Sequence, residues 1–245
     1  MTSKPALLVG ISGCSSSGKT TLSKLASYAV PGSILIHQDD FYKHDNEIPI
    51  NEEYMLQNWD CADALHFEAF TRELQNIKSL GRMSVKPVKN DNHDGVLKFN
   101  IDDGFWESIN SQYGTRIKAL SYMVVFVEGF MLYHDECLAS LFDIKLLLRA
   151  PYATLKARRA ARPGYRTLDS YWIDPPYYFD EFVYKSYAES HRSLFADGDV
   201  EGKLLSSDIT EILNDETTDI RNVLVSVLES VLNVESELTS NTLTG

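Results

Sequence analysis

The chain is poor in cysteine, in long apolar runs and in basic clusters, and each shortage excludes a class of protein. Its three cysteines, Cys14, Cys61 and Cys137, form no C-x-x-C pair and are odd in number, so neither a zinc site nor a disulfide framework is supported. No apolar run approaches the roughly 20 residues that cross a bilayer. The net charge of −12, with no Lys/Arg run that suggests a basic face, argues against a nucleic-acid partner.

The first residues, MTSKPALLVG, contain one lysine and a short apolar stretch but no small-residue cleavage site of a secretory leader. We therefore expect no membrane partner and a cytoplasmic location, with the nucleus as an alternative. Whether the protein is a monomer or a homodimer stays open at this stage.

Short apolar runs alternate with helical patterns along most of the chain. The predicted strands are Ala6–Ile11, Ser33–Ile36, Tyr122–Val127 and Asp143–Leu148. The predicted helices are Thr20–Ala29, Ala62–Leu80, Asp102–Ser111, Tyr152–Ala161, Tyr177–Phe195 and Asp219–Leu232. Because the apolar runs lack clean alternation, they are typical of strands buried on both faces of a parallel sheet. The pattern predicts an α/β fold in which helices flank a doubly wound parallel sheet.

Three stretches interrupt this alternation. Asp39–Asp60 is long, polar and aromatic, and we interpret it as a functional loop. Val85–Asn100 has no clear periodicity and is predicted as either a surface hairpin or a mobile insertion. Val234–Gly245 is rich in Ser, Thr and Glu, which favours a disordered tail.

A glycine- and serine-rich motif follows the first predicted strand and opens the first predicted helix. Residues 13–20, here called the phosphate loop, read GCSSSGKT and match G-x-x-x-x-G-K-[ST]. Backbone N–H groups of such a loop and the dipole of the following helix form an anion site. Lys19 would reach the β- and γ-phosphates, and the Thr20 hydroxyl would bind Mg²⁺. The alternative is a plain Gly/Ser turn; the dinucleotide pattern G-x-G-x-x-G is missing.

Carboxylates follow two of the predicted strands. The second strand runs into Asp39 and Asp40 in "ILIHQDDFY", and the third runs into Glu128 in "VVFVEGF". Open α/β sheets place their chemistry at this edge, where a carboxylate can serve as a base for an acceptor hydroxyl or hold metal-bound water. The alternative is structural, since tandem Asp also forms caps or turns and Glu-Gly also forms turns.

Arginines cluster at the end of the helix in "LKARRAARPGY". Arg158, Arg159 and Arg162 precede Pro163-Gly164, a pattern that favours a hinged lid over phosphates, although an arginine run is also common on a solvated helix face. The chain lacks the N-K-x-D of a GTPase, and its D-x-x-G match at 199–202 is only formal. Together these features favour a small-molecule kinase.

Five segments, "GISGCSSSGKTTL", "HQDDFYK", "NWD", "VEGFML" and "RRAARPGYRTLDSYWIDPPYYFDEFVY", closely resemble the nicotinamide riboside kinases, particularly their fungal forms. The resemblance covers roughly residues 7–202. It implies one P-loop kinase domain over residues 1–233, similar to uridine kinases, with about five parallel strands, a lid at about 158–176 and a substrate-binding insertion. A variable insertion at about 82–101 has no assigned role. The resemblance also implies transfer of the ATP γ-phosphoryl to the 5′-hydroxyl of nicotinamide riboside or nicotinic acid riboside for NAD biosynthesis.

The same resemblance implies a role for each matching residue, with ATP as co-substrate and Mg²⁺ as the metal. The catalytic residues would be Asp39 as general base, Lys19, Arg159 and Glu128. The ATP-binding residues would be Gly13, Cys14, Ser15, Ser16, Ser17, Gly18, Lys19, Thr20, Thr21, Arg158 and Arg162. The substrate-binding residues would be Asp39, Asp40, Phe41, Tyr42, Trp59, Asp60, Arg159, Tyr165 and Arg166. The metal would contact Thr20, Asp39 and Glu128.

Two aromatic residues are expected to sandwich the cationic pyridinium ring. Trp59 would stack on one face and Tyr165 on the other, a contact worth on the order of 0.5 to 2 kcal/mol. The family often has Tyr at the position of Trp59, and the alternative is that both rings are packing residues. Two other functions stay open: a uridine or cytidine kinase, whose R-D-x-x-x-R-G-R lid pattern is absent, and a nucleotide-binding regulatory protein without turnover.

Overall fold

A parallel β-sheet of five strands forms the centre of the fold in a computed structural model that describes residues 4–83 and 101–242, with side chains up to residue 234. The strands are β1 (Ala6–Ser12), β2 (Ile34–His37), β3 (Ile50–Asn51), β4 (Leu56–Gln57), β5 (Met123–Gly129), β6 (Ile144–Arg149), β7 (Tyr165–Arg166), β8 (Tyr171–Trp172) and β9 (Ile209–Leu213). The α-helices are α1 (Lys19–Ala29), α2 (Phe67–Leu80), α3 (Asp103–Lys118), α4 (Glu136–Ala139), α5 (Tyr152–Ala160), α6 (Lys185–His191) and α7 (Ile220–Thr242).

The strand order of the sheet is β2-β5-β1-β6-β9, and every neighbouring pair is parallel. β1 is central, so its two faces are covered by different helices. Leu8 points into a core that contains residues of α2, whereas Val9 points into a core built with α1, α3 and α7. Both side chains are 0% exposed, which explains the continuous apolar run. The predicted α/β class and doubly wound parallel sheet are confirmed.

The four predicted strands lie within two residues of the observed ones, but the prediction missed β9. This strand, Ile209–Leu213, lies at the edge of the sheet and has the burial pattern of one buried, one half-buried and three exposed residues. Its sequence ITEIL therefore contains no continuous apolar run. Edge strands with one solvated side lack the signal by which the central strands were recognised.

Three predicted helices differ in their bounds. Residues 62–64 form a separate 3₁₀ turn, because Leu65 pairs with Tyr42 as an isolated bridge before α2 begins at Phe67. α3 continues to Lys118, seven residues beyond its predicted end. The predicted helix Tyr177–Phe195 consists of a π-helical stretch at Phe179–Tyr184, then α6, then a 3₁₀ turn at Arg192–Leu194.

The last helix also differs from its predicted end. The backbone of α7 runs to Thr242, whereas the sequence pattern placed the end at Leu232 and a disordered tail after it. No glycine or proline interrupts residues 233–242, so no residue in this stretch forces the helix to stop. The predicted insertion at Val85–Asn100 lies outside the described residues. Among the residues described, no helix is long and apolar enough to cross a membrane.

Two small antiparallel hairpins flank the carboxyl edge of the sheet. β3 pairs with β4 inside the loop 38–60, and β7 pairs with β8 after α5. We call residues 38–60 the substrate loop and residues 165–172 the lid hairpin. Both arise from stretches that were predicted as a functional loop and as a lid.

Candidate active site

A cavity of about 540 Å³ opens where the parallel strands end. Its floor is formed by the phosphate loop after β1, its sides by Asp39 after β2 and by Glu128 in β5, and its roof by lid residues after α5. Open α/β sheets bind ligands at this edge. The volume lies within the range of small-molecule sites, about 300–1,000 Å³.

The two glycines of the phosphate loop are required by its backbone. Gly13 has a φ of +143° and Gly18 a φ of +100°, which only glycine adopts without strain. A Cβ at Gly13 would collide with the Leu148 carbonyl oxygen, and one at Gly18 would collide with the side-chain amide of Asn214. Asn214 Nδ2 also donates a 2.7 Å hydrogen bond to the Ser17 carbonyl, so the segment after β9 holds the loop from outside.

Several polar groups are buried in the interior of the phosphate loop, and of these Ser16 and Lys19 border the cavity. The Cys14 carbonyl accepts hydrogen bonds from the Ser17 backbone N–H at 3.1 Å and from Lys19 Nζ at 2.9 Å. The Ser16 and Ser17 hydroxyls are buried, and within the described part of the chain neither has a hydrogen-bond partner. Such atoms are rare in folded proteins. Together with the loop amides they fit a phosphate group.

Lys19 is 8% exposed and lies near two carboxylates. Burial lowers the pKa of its ammonium group, and the charges of Glu128 and Asp39 oppose that shift. A buried lysine beside carboxylates retains its charge most readily when a further anion is bound. This environment suits contact with a polyphosphate.

Thr20 and Glu128 meet at one side of the cavity. Thr20 Oγ1 donates a 3.2 Å hydrogen bond to Glu128 Oε1, and the same oxygen lies 2.7 Å from His37 Nδ1. Asp39 lines the same cavity. Oxygen ligands of this kind fit Mg²⁺. Among the described residues there is no group of three or more His, Cys, Asp or Glu that could hold a metal ion.

Arg159 joins the lid to the phosphate loop. Its Nη1 donates a 2.8 Å hydrogen bond to Ser15 Oγ, and its Nε and Nη2 form a bidentate pair with Asp174 at 2.6 and 3.1 Å. Its Nη2 also lies 3.7 Å from Asp60 Oδ2. Burial alone would lower the pKa of this 8% exposed guanidinium, but Asp60 and Asp174 raise it, so the group is a permanent cation.

Asp60 is a buried carboxylate in the lining of the cavity. It is 5% exposed, and burial raises the pKa of its carboxyl group while Arg159 opposes the shift. Its backbone carbonyl accepts a hydrogen bond from Ser186 Oγ, which ties this end of the substrate loop to α6. A buried carboxylate oriented in this way can accept hydrogen bonds from the hydroxyls of a sugar.

Aromatic side chains line much of the cavity, among them Tyr42, Trp59, Tyr165 and Trp172. Trp59 is 7% exposed, and its ring packs against Tyr42 at 5.8 Å and against Trp172 at 5.9 Å between centroids. The Tyr165 ring lies under the Arg159 guanidinium, 4.5 Å from the centroid. The Trp59 indole N–H and the Tyr165 hydroxyl are buried and have no hydrogen-bond partner among the described residues. The Arg162 guanidinium also lies over the Tyr165 ring, 5.6 Å from its centroid, so two cations already contact this ring.

The cavity lining contains many of the residues predicted for the site. These are Ser15, Ser16, Gly18, Lys19, Thr20, Thr21, Asp39, Tyr42, Trp59, Asp60, Glu128, Arg159, Arg162, Tyr165 and Arg166. Other predicted residues do not line it. The Phe41 ring packs on Phe70 in the core at 5.1 Å, and Asp40 is absent from the lining. Both were predicted to bind substrate, and their neighbour Asp39 faces the cavity instead.

Some residues predicted to bind ATP lie behind the loop rather than in the cavity. The Cys14 side chain is 2% exposed and borders a second cavity, and burial raises the pKa of its thiol to about 12. Gly13 and Ser17 are also absent from the lining, although their backbone belongs to the loop. Arg158 Nη1 donates a 3.0 Å hydrogen bond to the Asn214 carbonyl, so it supports the segment that holds the loop.

Sequence reasoning missed several residues of the site. Trp172 and Asp174 lie in the lid, where Trp172 Nε1 donates a 2.8 Å hydrogen bond to Asp174 Oδ1. From the sequence alone, Asp174 before Pro175-Pro176 is typical of a cap for the helix that follows, yet in the structure it binds Arg159. The available signal was the presence of an acidic residue, Asp174, in the same predicted lid as the arginines, with which it could form an ion pair. His37 and Asn214 carried no comparable signal, because each acts through a partner distant in sequence.

A phosphate loop after the central strand of a parallel sheet, with a lid arginine bound to that loop, defines a P-loop kinase. The curated nicotinamide riboside kinase of Eremothecium gossypii is 53% identical over 225 residues, which cover 92% of each chain. The chain belongs to the nicotinamide riboside kinase family.

Two further relatives carry the same description. The nicotinamide riboside kinase of Saccharomyces cerevisiae is 49% identical over 95% of this chain and 98% of its own. That of Schizosaccharomyces pombe is 38% identical over 93% of this chain and 96% of its own. No family model matches the chain. The predicted resemblance to fungal members is confirmed.

Proposed function

We propose that this chain transfers the γ-phosphoryl group of ATP to the 5′-hydroxyl of nicotinamide riboside, and to that of nicotinic acid riboside. The products are the mononucleotides used for NAD biosynthesis. Membership of the family supports this activity. The relatives are named nicotinamide riboside kinase, and the alignments cover nearly the whole length of each.

The position of Arg159 is the observation that carries the proposal. One guanidinium contacts Ser15 of the phosphate loop and lies 3.7 Å from the buried carboxylate of Asp60. A group that bridges a triphosphate site and a sugar site can neutralise charge as the phosphoryl group passes between them. A nucleotide-binding protein without turnover would have no need of this bridge.

We assign the steps of the reaction to the residues around the cavity. Asp60 accepts hydrogen bonds from the ribose hydroxyls and orients the nucleoside. Asp39 accepts the proton of the 5′-hydroxyl while that oxygen attacks the γ-phosphorus, and the bond to the β–γ bridging oxygen breaks to release ADP. Lys19, Arg159 and Arg162 stabilise the charge on the transferred group and on the leaving phosphate.

We assign Mg²⁺ to Thr20, Asp39 and Glu128, which border one space with oxygen ligands. The ion would neutralise part of the phosphate charge when bound. His37 acts through Glu128, whose carboxylate it holds at 2.7 Å. His37 is therefore a positioning residue for this carboxylate.

The cationic ring of the substrate is assigned to the aromatic wall. Trp59 supplies one face, as the sequence suggested, and Trp172 extends that wall beside it. The guanidinium groups of Arg159 and Arg162 both lie over the Tyr165 ring and repel a further cation there, so the contact with the cationic ring is assigned to Trp59 rather than to Tyr165. An acidic chain with net charge −12 favours the approach of a cationic nucleoside.

A nucleoside panel tests the proposed activity. Purified protein is incubated with Mg²⁺, ATP labelled at the γ-phosphate, and one of nicotinamide riboside, nicotinic acid riboside, uridine or cytidine. We expect label in the two pyridine mononucleotides and little in the pyrimidine nucleotides. A Lys19→Ala variant serves as the control for contaminating kinases.

The same panel separates the alternatives. Faster phosphorylation of uridine or cytidine would identify a pyrimidine nucleoside kinase, which shares the phosphate loop and the sugar contact. Absence of any labelled product, with ATP binding retained, would support a regulatory protein without turnover. Either outcome would contradict the proposed substrate.

A further inference from the structure

A hydrogen-bond cluster connects the lid hairpin to the middle of the substrate loop. Asp45 Oδ2 accepts hydrogen bonds from Thr167 Oγ1 at 2.8 Å and from Ser170 Oγ at 2.5 Å. In return, the Asp45 backbone N–H donates a 2.9 Å hydrogen bond to Asp169 Oδ2. These segments are more than 120 residues apart in sequence, so the cluster is a tertiary contact rather than a local turn.

A histidine adds a charge-dependent contact to the same cluster. His44 Nδ1 lies 3.1 Å from both carboxylate oxygens of Asp169, and both side chains are about half exposed. The backbone of Asp45 and the histidine bond together lower the pKa of the Asp169 carboxyl group. Asp169 is therefore ionised at neutral pH and accepts both bonds. We call His44, Asp45, Thr167, Asp169 and Ser170 the lid latch.

The hairpin turn keeps its shape through bonds of its own. The Ser170 backbone N–H donates to Thr167 Oγ1 at 2.8 Å, and the Thr167 backbone N–H donates to the Ser170 carbonyl at 3.1 Å. The hairpin can therefore move as one piece when the bonds to Asp45 break. Because these internal hydrogen bonds remain, the hairpin would move as a folded unit rather than unfold.

On the other side of the latch, Asp45 is tied to the residues that bind the nucleoside. Gln57 Nε2 donates a 2.5 Å hydrogen bond to the Asp45 carbonyl, and the Asn58 N–H donates to the Pro49 carbonyl at 2.8 Å. Trp59 and Asp60 follow directly in the chain. A movement of Asp45 would therefore shift residues 57–60, which include Trp59, the proposed ring contact, and Asp60, the proposed sugar contact.

The hairpin forms one wall of the cavity. Tyr165, Thr167, Leu168, Tyr171 and Trp172 all border it. Since Thr167 is both a wall residue and a latch residue, breaking the latch opens the wall on its nucleoside side. The phosphate loop is not part of the latch, so access of ATP does not depend on these bonds.

We propose that Asp45 is a positioning residue whose hydrogen bonds to Thr167 and Ser170 hold the lid hairpin closed over the bound nucleoside. Release of the mononucleotide requires these bonds to break. The identity of the bound nucleoside rests on the proposed function, whereas the hydrogen bonds of the latch are contacts within the protein. The substrate loop thus has a role in lid closure, in addition to supplying the base Asp39 and the ring contact Trp59.

Substitution of Asp45 tests the latch, and Glu47→Gln is the matched control. Glu47 is an exposed acidic residue of the same loop. The substitution Glu47→Gln therefore removes one negative charge from this loop but leaves the latch oxygen of Asp45 in place. For Asp45→Ala, which removes the acceptor oxygens, we expect the KM for nicotinamide riboside to rise about tenfold, equivalent to about 1.4 kcal/mol. Asp45→Asn keeps one oxygen that can accept these hydrogen bonds and should raise this KM less. The KM for ATP should stay within twofold. Glu47→Gln should leave both KM values unchanged.

A second kinetic readout separates closure from mere loss of stability. A hairpin that no longer closes admits water to the phosphoryl group, so the ratio of ADP to mononucleotide formed should rise above one in the Asp45 variants. Thr167→Val combined with Ser170→Ala should give the same rise. Equal increases in both KM values, with the product ratio unchanged, would overturn the proposal.

Hydrogen exchange tests the latch without any substrate. Amides of residues 165–172 should exchange faster in Asp45→Ala than in the native protein or in Glu47→Gln. Unchanged exchange in this segment would overturn the latch even if the kinase activity is as proposed. Conversely, faster exchange in a protein that does not phosphorylate nicotinamide riboside would leave the latch intact and overturn the proposed function.

Discussion

Arg159 and Ser15 are 144 residues apart in sequence, and a 2.8 Å hydrogen bond joins the guanidinium of one to the hydroxyl of the other. This bond connects the lid directly to the phosphate loop. The same guanidinium is held from behind by two bonds to Asp174. The lid therefore presents a fixed fork of donors to the site of phosphoryl transfer.

The first prediction concerns this fork. A lysine at position 159 keeps the charge but cannot bind Asp174 through two nitrogens while also reaching Ser15. We expect Arg159→Lys to lower kcat by about 10³-fold, the low end of the range for arginines that stabilise phosphoryl transfer. Steady-state kinetics with nicotinamide riboside measure this loss.

Arg158→Lys is the matched control for that prediction. Arg158 belongs to the same helix and makes one hydrogen bond, to the Asn214 carbonyl, which a lysine can also donate. We expect kcat within a few-fold of the native value. Equal losses in the two variants would contradict a specific role of Arg159.

The second prediction separates two adjacent carboxylates. Asp39 lines the cavity and Asp40 does not, so we propose Asp39 rather than Asp40 as the base. Asp39→Asn should lower kcat by about 10³-fold, within the range typical of general-base catalysis. Affinity for ATP, measured with a fluorescent analogue, should change little.

Asp40→Asn provides the comparison, because it makes the same chemical change one residue away. We expect its turnover to remain near the native value. A larger loss in Asp40→Asn than in Asp39→Asn would reverse the assignment of the base.

The third prediction concerns the recognition of a cationic ring. Trp59→Leu keeps an apolar side chain but removes the π face. A cation–π contact of about 0.5 to 2 kcal/mol corresponds to a roughly 2- to 30-fold change. We expect the KM for nicotinamide riboside to rise by that factor more than the KM for uridine does.

Trp106→Leu controls for the loss of a tryptophan elsewhere. Its ring packs on Tyr28 at 4.7 Å, away from the cavity. Both KM values should stay unchanged in this variant. If Trp59→Leu raises the KM for the cationic and the neutral nucleoside equally, Trp59 acts through packing alone.

The fourth prediction concerns stability in mild acid. His191 is 0% exposed, and its Nε2 has no hydrogen-bond partner among the described residues. Burial lowers the pKa of its imidazole from 6.5 to about 4. Between these values the unfolded chain binds a proton that the folded chain does not, so the free energy of unfolding falls as the pH is lowered.

Urea unfolding at pH 7 and pH 5 measures this effect. The difference in pKa predicts a loss of about 2 kcal/mol at pH 5 relative to pH 7 from this residue. In His191→Phe the aromatic contact with Tyr187 can persist but the titration is gone. The pH dependence should be smaller in this variant by about the same amount, and an unchanged dependence would exclude His191 as its source.

Much of the fold could be predicted from the sequence because its signals are local. The run Ala6–Ile11 is continuous because β1 is buried on both faces, and the spacing of Gly13, Gly18 and Lys19 is set by a backbone that only glycine adopts. The carboxylates Asp39 and Glu128 could be placed by the rule that parallel strands end at one edge. These inferences require no knowledge of distant contacts.

The remaining features depend on contacts between distant segments. The edge strand β9 has mostly solvated side chains, so its sequence resembles a loop. Asn214 could not be recognised because its partner Ser17 is 197 residues away. Asp174 was assigned to a helix end since the sequence does not reveal which of several arginines it binds. Side-chain pairing across a cavity leaves no periodic pattern in either segment.

The order of strands in the sheet also affects the synthesis of the protein on the ribosome. In the described part of the chain, the first strand made, β1, pairs only with β5 and β6, which are made more than 110 residues later. Until those residues have emerged, the phosphate loop follows a strand that lacks its sheet partners, so we expect nascent chains of this length not to bind nucleotide. By this argument ATP would stabilise only polypeptides that have already completed their central strands.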